Sequence, residues 1–344
     1  MEFFAELGKK GLTLIYGPPG AGKTAFALRI ASRAERPLWI STSEGEAAFS
    51  AATKRLAVAR EKIDFYDFPR AFRDNVLKFI AEHIGGHDML VVDSVTGLAE
   101  AEPDLEKTAH SFFYQLSKDV PVVLTSEGDP GKLAYIADNM VEVNIKRNAI
   151  GHIIRTAQLV KSRYAPPSER FIFDIAEGIG IVYFYTKKAV ELAPPVEVPT
   201  IGEMSRGSVI GVFGPREDDV LAKLKELTEG KNVLYVHMPG IIVLRKADVL
   251  GAGWRIYPIS TFQELASLAL RLALGQEKAD VLVFSGLSII NKLSLIDLLD
   301  YITVLSALGG YVEYVILAEL ANKDEVIKSP LYMSADYRIF LEDA

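Results

Sequence analysis

The sequence predicts an α/β chain of two tandem domains, each built on a mostly parallel sheet flanked by helices, with a short antiparallel meander closing the first. Three observations carry this expectation. The chain has 344 residues, more than one hydrophobic core comfortably serves, since domains run to about 150–200 residues. Short β-branched runs alternate with stretches of helical period, and this alternation occurs twice. A proline-dense segment separates the two occurrences.

In the first half, residues 12–16, 38–42, 63–66, 89–93 and 120–125 are short apolar runs of strand character, and 22–34, 44–57, 70–84 and 104–118 carry helical period between them. Strands alternating with helices of that length make βα crossovers and hence a parallel sheet. From about residue 150 the pattern changes: 158–163, 170–175 and 181–186 predict antiparallel strands joined by the turns Ala165-Pro166-Pro167-Ser168 and Glu177-Gly178-Ile179-Gly180. Ala193-Pro194-Pro195-Val196-Glu197-Val198-Pro199 then favours an extended connection. The expected organisation is therefore a domain over 1–193, a linker over 194–204 and a second domain over 205–344.

In the second half, strand-like runs recur at 209–213, 233–237, 255–259, 281–284 and 312–317. Tyr16-Gly17-Pro18 parallels Phe213-Gly214-Pro215 at an offset of 213 − 16 = 197, and Ala137-Asp138 parallels Ala335-Asp336 at 335 − 137 = 198. Leu90-Val91-Val92-Asp93 parallels Leu282-Val283-Phe284-Ser285 at 282 − 90 = 192. Three collinear matches at similar offsets predict an internal duplication.

Composition narrows the function. A net charge of −7 offers no general attraction to a polyanion, so nucleic acid is possible but not favoured. With 0 Cys, neither disulfides nor thiolate metal sites can form. His83 and His87 are separated by Gly85-Gly86, which breaks any helix that would align them as ligands. Apolar stretches such as 289–305 are interrupted by Asn291, Lys292, Asp297 and Asp300, so no membrane span is expected. The start, MEFFAELGKKG, lacks the order of a secretory signal and points to the cytoplasm. The lack of cysteine and scarcity of glutamine fit a thermophile's avoidance of labile side chains.

One motif carries chemistry. Gly17-Pro18-Pro19-Gly20-Ala21-Gly22-Lys23-Thr24, with Ala25 next on the helix, has the spacing G-x-x-x-x-G-K-[ST] between a predicted strand and a predicted helix. Glycines let the backbone curl so that its N–H groups face phosphates, and the helix start adds its positive end. Lys23 is the expected partner of the β- and γ-phosphates of ATP, and Thr24 offers its hydroxyl to Mg²⁺. Asp93, ending the apolar run Met89-Leu90-Val91-Val92, is the carboxylate expected to hold the Mg²⁺ hydration shell. Hydrolysis further requires a carboxylate to activate water. Glu44 directly follows a predicted strand, at the sheet edge where open α/β folds bind ligands, with Glu46 as the competing choice.

GPPGAGKT, Glu44 after Trp39-Ile40-Ser41-Thr42-Ser43, LVVDS, and Tyr135-Ile136-Ala137-Asp138 before an apolar run together resemble the RecA/RadA superfamily of P-loop ATPases. Leu159-Val160-Lys161-Ser162-Arg163, with 171–175 and Gly178-Ile179 behind it, is similar to the hairpin of its KaiC-like branch, and a RadB-like paralogue is the second resemblance. The likeness spans 11–186. It implies a RecA-like sheet and ATP shared between subunits of a homo-oligomer, with Lys161 and Arg163 reaching the γ-phosphate of the neighbouring protomer. Alternate residues of a strand share a face, so the K-x-R spacing can present both charges together. Two departures stand out: Ser43 precedes Glu44 where the branch usually has a second acid, and Ser126 or Glu127 occupies the position of a polar sensor. No long basic loop follows, since Asp129-Pro130-Gly131-Lys132 is short and near neutral.

The second domain is expected to be a degenerate RecA-like copy. Its counterpart of the phosphate loop reads Phe213-Gly214-Pro215-Arg216-Glu217-Asp218-Asp219, and Ser285 stands where Asp93 stands in the first. Acids opening a helix satisfy its positive end and repel a triphosphate. The sequence therefore points to one ATP site, in the N-terminal half, in an ATPase that uses nucleotide as an assembly or regulatory switch, the second domain being available to a protein partner. The alternatives are an accessory of DNA repair resembling RadB-like paralogues and a nucleotide-binding module with negligible turnover. An autokinase role leaves no local sequence mark.

Overall fold

The computed structural model describes residues 7–68, 75–99, 103–148, 151–184, 194–237, 253–286, 295–328 and 330–341. They fall into two compact units, one formed by Met1–Lys146 and Arg155–Tyr183, the other by Arg147–Ile154 and Phe184–Ala344.

The strands of the first sheet are β1 (Leu12–Gly17), β2 (Pro37–Ser41), β3 (Asp64–Asp67), β4 (Met89–Asp93), β5 (Val122–Glu127), β6 (Asn139–Arg147), β7 (Ile153–Ser162), β8 (Phe171–Ala176) and β9 (Gly180–Phe184). Their order is β3-β2-β4-β5-β1-β6-β7-β8-β9. From β3 to β6 every pairing is parallel, and β7 runs antiparallel to β8. Strand alternation sorts the apolar side chains onto two faces. Ile15, Val91 and Val123 join Phe26 and Phe49, from the helices Lys23–Ala31 and Glu46–Arg55, in one core. Leu14, Leu90, Val92 and Leu124 join Ile80 and Phe113, from the helices Val76–His83 and Pro103–Leu116, in the other. This is the mixed α/β architecture expected, with helices on both sides of a mostly parallel sheet.

Two boundaries differ from expectation, and two more lie partly outside the described residues. β7 begins at Ile153 rather than 158, because the chain reverses at Gly151 (φ 86) and the Asn148 N–H is donated to the His152 carbonyl, which extends the ladder backwards. The expected helix over 70–84 is described from Val76, residues 70–74 lying outside the described residues, as do 185–186 of the expected strand over 181–186. Residues 194–204 are not a bare linker. They contain the antiparallel pair β10 (Val196–Val198) and β11 (Gly202–Met204), turning through Thr200 (φ 67) and Gly202 (φ 100). The prolines lie outside its ladder, as the missing N–H demands. Val198 is fully buried and packs, with Val196, Ile201 and Met204, into the core of the second unit.

The second unit repeats the topology. β12 (Ser208–Gly214), β13 (Val233–His237), β14 (Trp254–Pro258), β15 (Val281–Ser285), β16 (Tyr314–Leu320) and β17 (Tyr337–Phe340) lie in the order β14-β13-β15-β16-β12-β17, all parallel. Strand for strand this is β3-β2-β4-β5-β1-β6. A side-chain brace is repeated too: Asp138 accepts the Leu12 N–H at 2.8 Å at the start of β1, and Asp336 accepts the Val209 N–H at 2.7 Å at the start of β12. Among the described residues no helix is long and apolar enough to cross a membrane.

The two braces differ in surroundings. Asp138 is half-buried and also holds Arg163 at 3.0 Å, whereas Asp336 is exposed. Since a hydrogen bond to a charged group contributes roughly 1.5–3 kcal/mol, and less where water competes, Asp138→Ala is expected to lower stability by about 2 kcal/mol and Asp336→Ala by less than about 1 kcal/mol. Urea unfolding checks both, and equal losses would remove the distinction.

Candidate functional site

The phosphate loop joins β1 to the helix Lys23–Ala31. Its glycines have backbone angles that side chains oppose: φ is 146 at Gly17, 75 at Gly20 and 107 at Gly22. At Gly17 a Cβ would stand 1.8 Å from the Val143 carbonyl oxygen, so β6 approaches the loop as only glycine permits. At Gly22 it would meet the Phe173 ring at 3.4 Å, and that ring lies edge-on to Phe26 at 4.8 Å. The meander strand β8 is thus the back wall of the loop. The helix that follows has no side-chain cap and no acid in its first turn, so its positive end is left for an outside anion. Pro19 and Gly20 are exposed, Pro18, Gly22 and Thr24 half-buried, and Ala21 and Ala25 packed inside.

Lys23 is 5% exposed. Its Nζ donates to the Gly17 carbonyl at 2.9 Å, to the Pro18 carbonyl at 3.0 Å and to Glu127 Oε2 at 2.8 Å. Thr24 Oγ1 donates to Asp93 Oδ2 at 2.8 Å, and Thr125 Oγ1 donates to Asp93 Oδ1. Burial pushes the Asp93 carboxyl up, the hydrogen bonds from Thr125 and Thr24 and the Lys23 charge pull it down, and the Glu127 charge pushes it up again. Thr24 and Asp93 therefore meet as two hard oxygen donors. Among the described residues no group of three or more His, Cys, Asp or Glu could cage a metal. These donors fit Mg²⁺, which takes one or two protein oxygens and completes its octahedron with phosphate oxygens and water.

Glu44 and Glu46, competitors in the sequence, are separated here. Trp39 packs on Phe49 at 5.0 Å and Phe49 stacks on Phe65 at 4.3 Å, fixing the helix Glu46–Arg55 against the sheet. Arg60 lies over Phe49 and Phe65, and its guanidinium donates to both carboxylate oxygens of Glu46 at 2.8 Å. Glu46 is thereby committed to the start of its helix. Glu44 sits in a turn closed by the Ser41 hydroxyl, which donates to the Glu44 carbonyl at 2.6 Å and accepts the Glu44 N–H at 2.9 Å. Thr42 Oγ1 donates to the Ser94 carbonyl at 2.7 Å, lacing this turn to the end of β4. Burial, and secondarily the Asp93 charge, push the half-buried Glu44 carboxyl up, while Arg55 pulls it down.

Lys161 and Arg163 lie elsewhere. Lys161 Nζ donates to the Ala134 carbonyl at 2.8 Å, and the 56% exposed Arg163 side chain pairs with Asp138. Asp138 braces Leu12, the first residue of β1, whereas the phosphate loop leaves from Gly17, its last. Five strand steps at about 3.3 Å put Asp138 and its partner Arg163 roughly 17 Å from the loop of their own chain, and Lys161 is engaged by the Ala134 carbonyl. They do not join the site in cis.

In the second unit, β12 ends at Gly214 and the next helix begins at Glu217. Glu217, Asp218 and Asp219 form its first turn, and Arg216 binds Asp219 at 2.6 Å, holding the Asp219 carboxyl below its usual range. Ser285 is fully buried and shares a hydrogen bond with the Tyr235 hydroxyl. No phosphate cradle forms between β12 and this helix.

Thr125 carries no role in the motif reading, and Glu127 enters it only as one of two occupants of the sensor position. Thr125 and Glu127 stand on β5, whose parallel register sets Ile15 beside Thr125 and Gly17 beside Glu127. A polar end to an apolar strand next to β1 is the signal that could have found Thr125 and the pairing of Glu127 with Lys23.

The family model described as "AAA domain" matches residues 10–102, a segment holding both the phosphate loop and Asp93. None of the curated proteins matches. Among solved structures, the flagellar accessory protein FlaH from Methanocaldococcus jannaschii is similar at 20% identity, covering 52% of this chain and 90% of that one, with a TM-score of 0.42. The family match over the loop and Asp93, with the geometry around Lys23, supports a P-loop nucleotide site in the N-terminal unit.

Proposed function

We propose that this chain is an ATPase of the KaiC-like branch of the RecA/RadA superfamily, binding and hydrolysing Mg-ATP in its N-terminal unit as a switch for assembly or for a partner. The observation that carries this reading is the meeting of Thr24 Oγ1 with Asp93 at 2.8 Å beside the Lys23 ammonium. In it the phosphate loop, from Gly17 to Ala25, wraps the phosphates with backbone N–H groups and Lys23 offsets their charge. Mg²⁺, held by Thr24 and through water by Asp93, would supply charge neutralisation at the β- and γ-phosphates. Glu44 takes a proton from the attacking water as its oxygen bonds to the γ-phosphorus and the bond to the β–γ bridging oxygen breaks, leaving ADP and phosphate.

Lys161 and Arg163 serve a neighbouring protomer in this reading, because their own phosphate loop is out of reach. The second unit, without a cradle, is left to assembly, regulation or a protein partner. The net charge of −7 keeps nucleic acid unfavoured as that partner.

Lys23→Ala is expected to weaken Mg-ATP binding by about 30-fold or more, the cost of truncating one side of a buried charge pair. Glu44→Gln is expected to lower phosphate release about 100-fold with ATP affinity nearly unchanged. Equal release by parent and Glu44→Gln rejects that base. Since Glu44 acts ionised and its carboxyl is pushed up, release should fall as pH drops through a limb above the ordinary carboxylate range. Arg55→Gln removes the charge that pulls it down and should move this limb upward by less than about one pH unit. A pH–rate profile on both proteins reads it, and an unmoved limb assigns the titration to another group. Light scattering should give a mass above the monomer with Mg-ATP, whereas a monomer with and without nucleotide eliminates the shared site.

A further inference from the structure

On the reading of the first unit as a nucleotide site, we propose that Glu127 is the competitor that polyphosphate must displace from Lys23, so that this carboxylate sets both affinity and the charge an incoming ligand needs. An ammonium has three N–H donors. Lys23 directs them to the Gly17 carbonyl at 2.9 Å, the Pro18 carbonyl at 3.0 Å and Glu127 Oε2 at 2.8 Å. The set is complete, so a phosphate oxygen gains Lys23 only by replacing one acceptor. Two of the three are backbone of the loop itself, fixed by its fold. The third ends a rotatable side chain and is 40% exposed, against 5% for Lys23.

The backbone beneath that side chain stays in place. The Glu127 N–H is donated to Thr96 Oγ1 at 2.8 Å, and the next N–H, of Gly128, goes to the Gly17 carbonyl at 3.0 Å. Displacement is therefore a side-chain rotation and needs no shift of β5. A cavity of about 180 Å³, lined by Glu127 together with Thr96, Ser126 and Lys132, gives the released carboxylate room. The exchange is also electrostatically one-sided. One carboxylate charge holds Lys23, and the several charges of a triphosphate both outbid it and repel it at close range. A ligand with a single weak anionic group lacks that advantage, so Glu127 filters for polyphosphate.

The test titrates the full-length protein with Mg-ATP and, separately, with inorganic tripolyphosphate. Glu127→Gln and Glu127→Ala are each expected to bind both ligands about three- to tenfold more tightly than the parent, the competitor's charge-assisted bond being gone. In a Lys23→Ala background, Glu127→Gln should change affinity less than about twofold, because the two residues act through one bond. A merely supporting role for Glu127 predicts the opposite sign, and unchanged or weaker binding by both variants with parent-like melting overturns the proposal. If instead Lys23→Ala binds Mg-ATP as tightly as the parent, the nucleotide-site reading itself fails and the competition falls with it.

Discussion

The active edge of the first unit depends on where β1 sits. Parallel register with β5 on one side brings Gly17 beside Glu127, and contact with β6 on the other leaves no space for a side chain at Gly17. From that position the chain must curl at once into the loop, and Lys23 returns across it to the carbonyls from which the curl began. The lysine thus braces the loop and also gathers charge at the edge. Asp93 arrives at the same edge from β4 and Thr125 from β5, which pair with each other.

Around this centre, packing and chemistry divide the acidic residues between them. Arg60, held by its stacking over Phe49 and Phe65, occupies Glu46 completely. Glu44, two residues earlier, is left at the end of β2 with its turn tied to Ser41 and its neighbour Thr42 tied to β4. The aromatic stack under the helix and the placement of the candidate base are consequences of the same contacts. The meander does comparable service on the other flank, since Phe173 closes the space beneath Gly22. A strand pair expected only to finish the domain is part of the phosphate loop's foundation.

Local features were legible in the sequence and distant pairings were not. The loop, the Asp93 strand and the alternation of strands and helices follow from spacing and periodicity within short windows. The partnership of Lys23 with Glu127 joins positions 104 apart and depends on which strands become neighbours, something no local window contains. The same applies to Arg163, whose charge looks free in sequence and is paired with Asp138 in the fold. Residues 194–204 depart from expectation for a different reason. Proline density outweighed the alternation of Val196 and Val198, yet it is Val198 that enters the core.

The repeated strand order and the paired aspartate braces describe two copies of one plan, which differ most plainly at the joint after the first strand of each parallel sheet. Between Gly17 and Lys23 lie 23 − 17 − 1 = 5 residues, and between Gly214 and Glu217 lie 217 − 214 − 1 = 2. The second copy thus winds into helix the residues that the first leaves as loop, since the helix ends 31 − 17 = 14 residues after the strand in one and 227 − 214 = 13 in the other. An anion would find the first turn of that helix, with Glu217, Asp218 and Asp219, standing where the first copy keeps its backbone N–H groups open, so the turn itself would have to unwind before any lysine or threonine could matter.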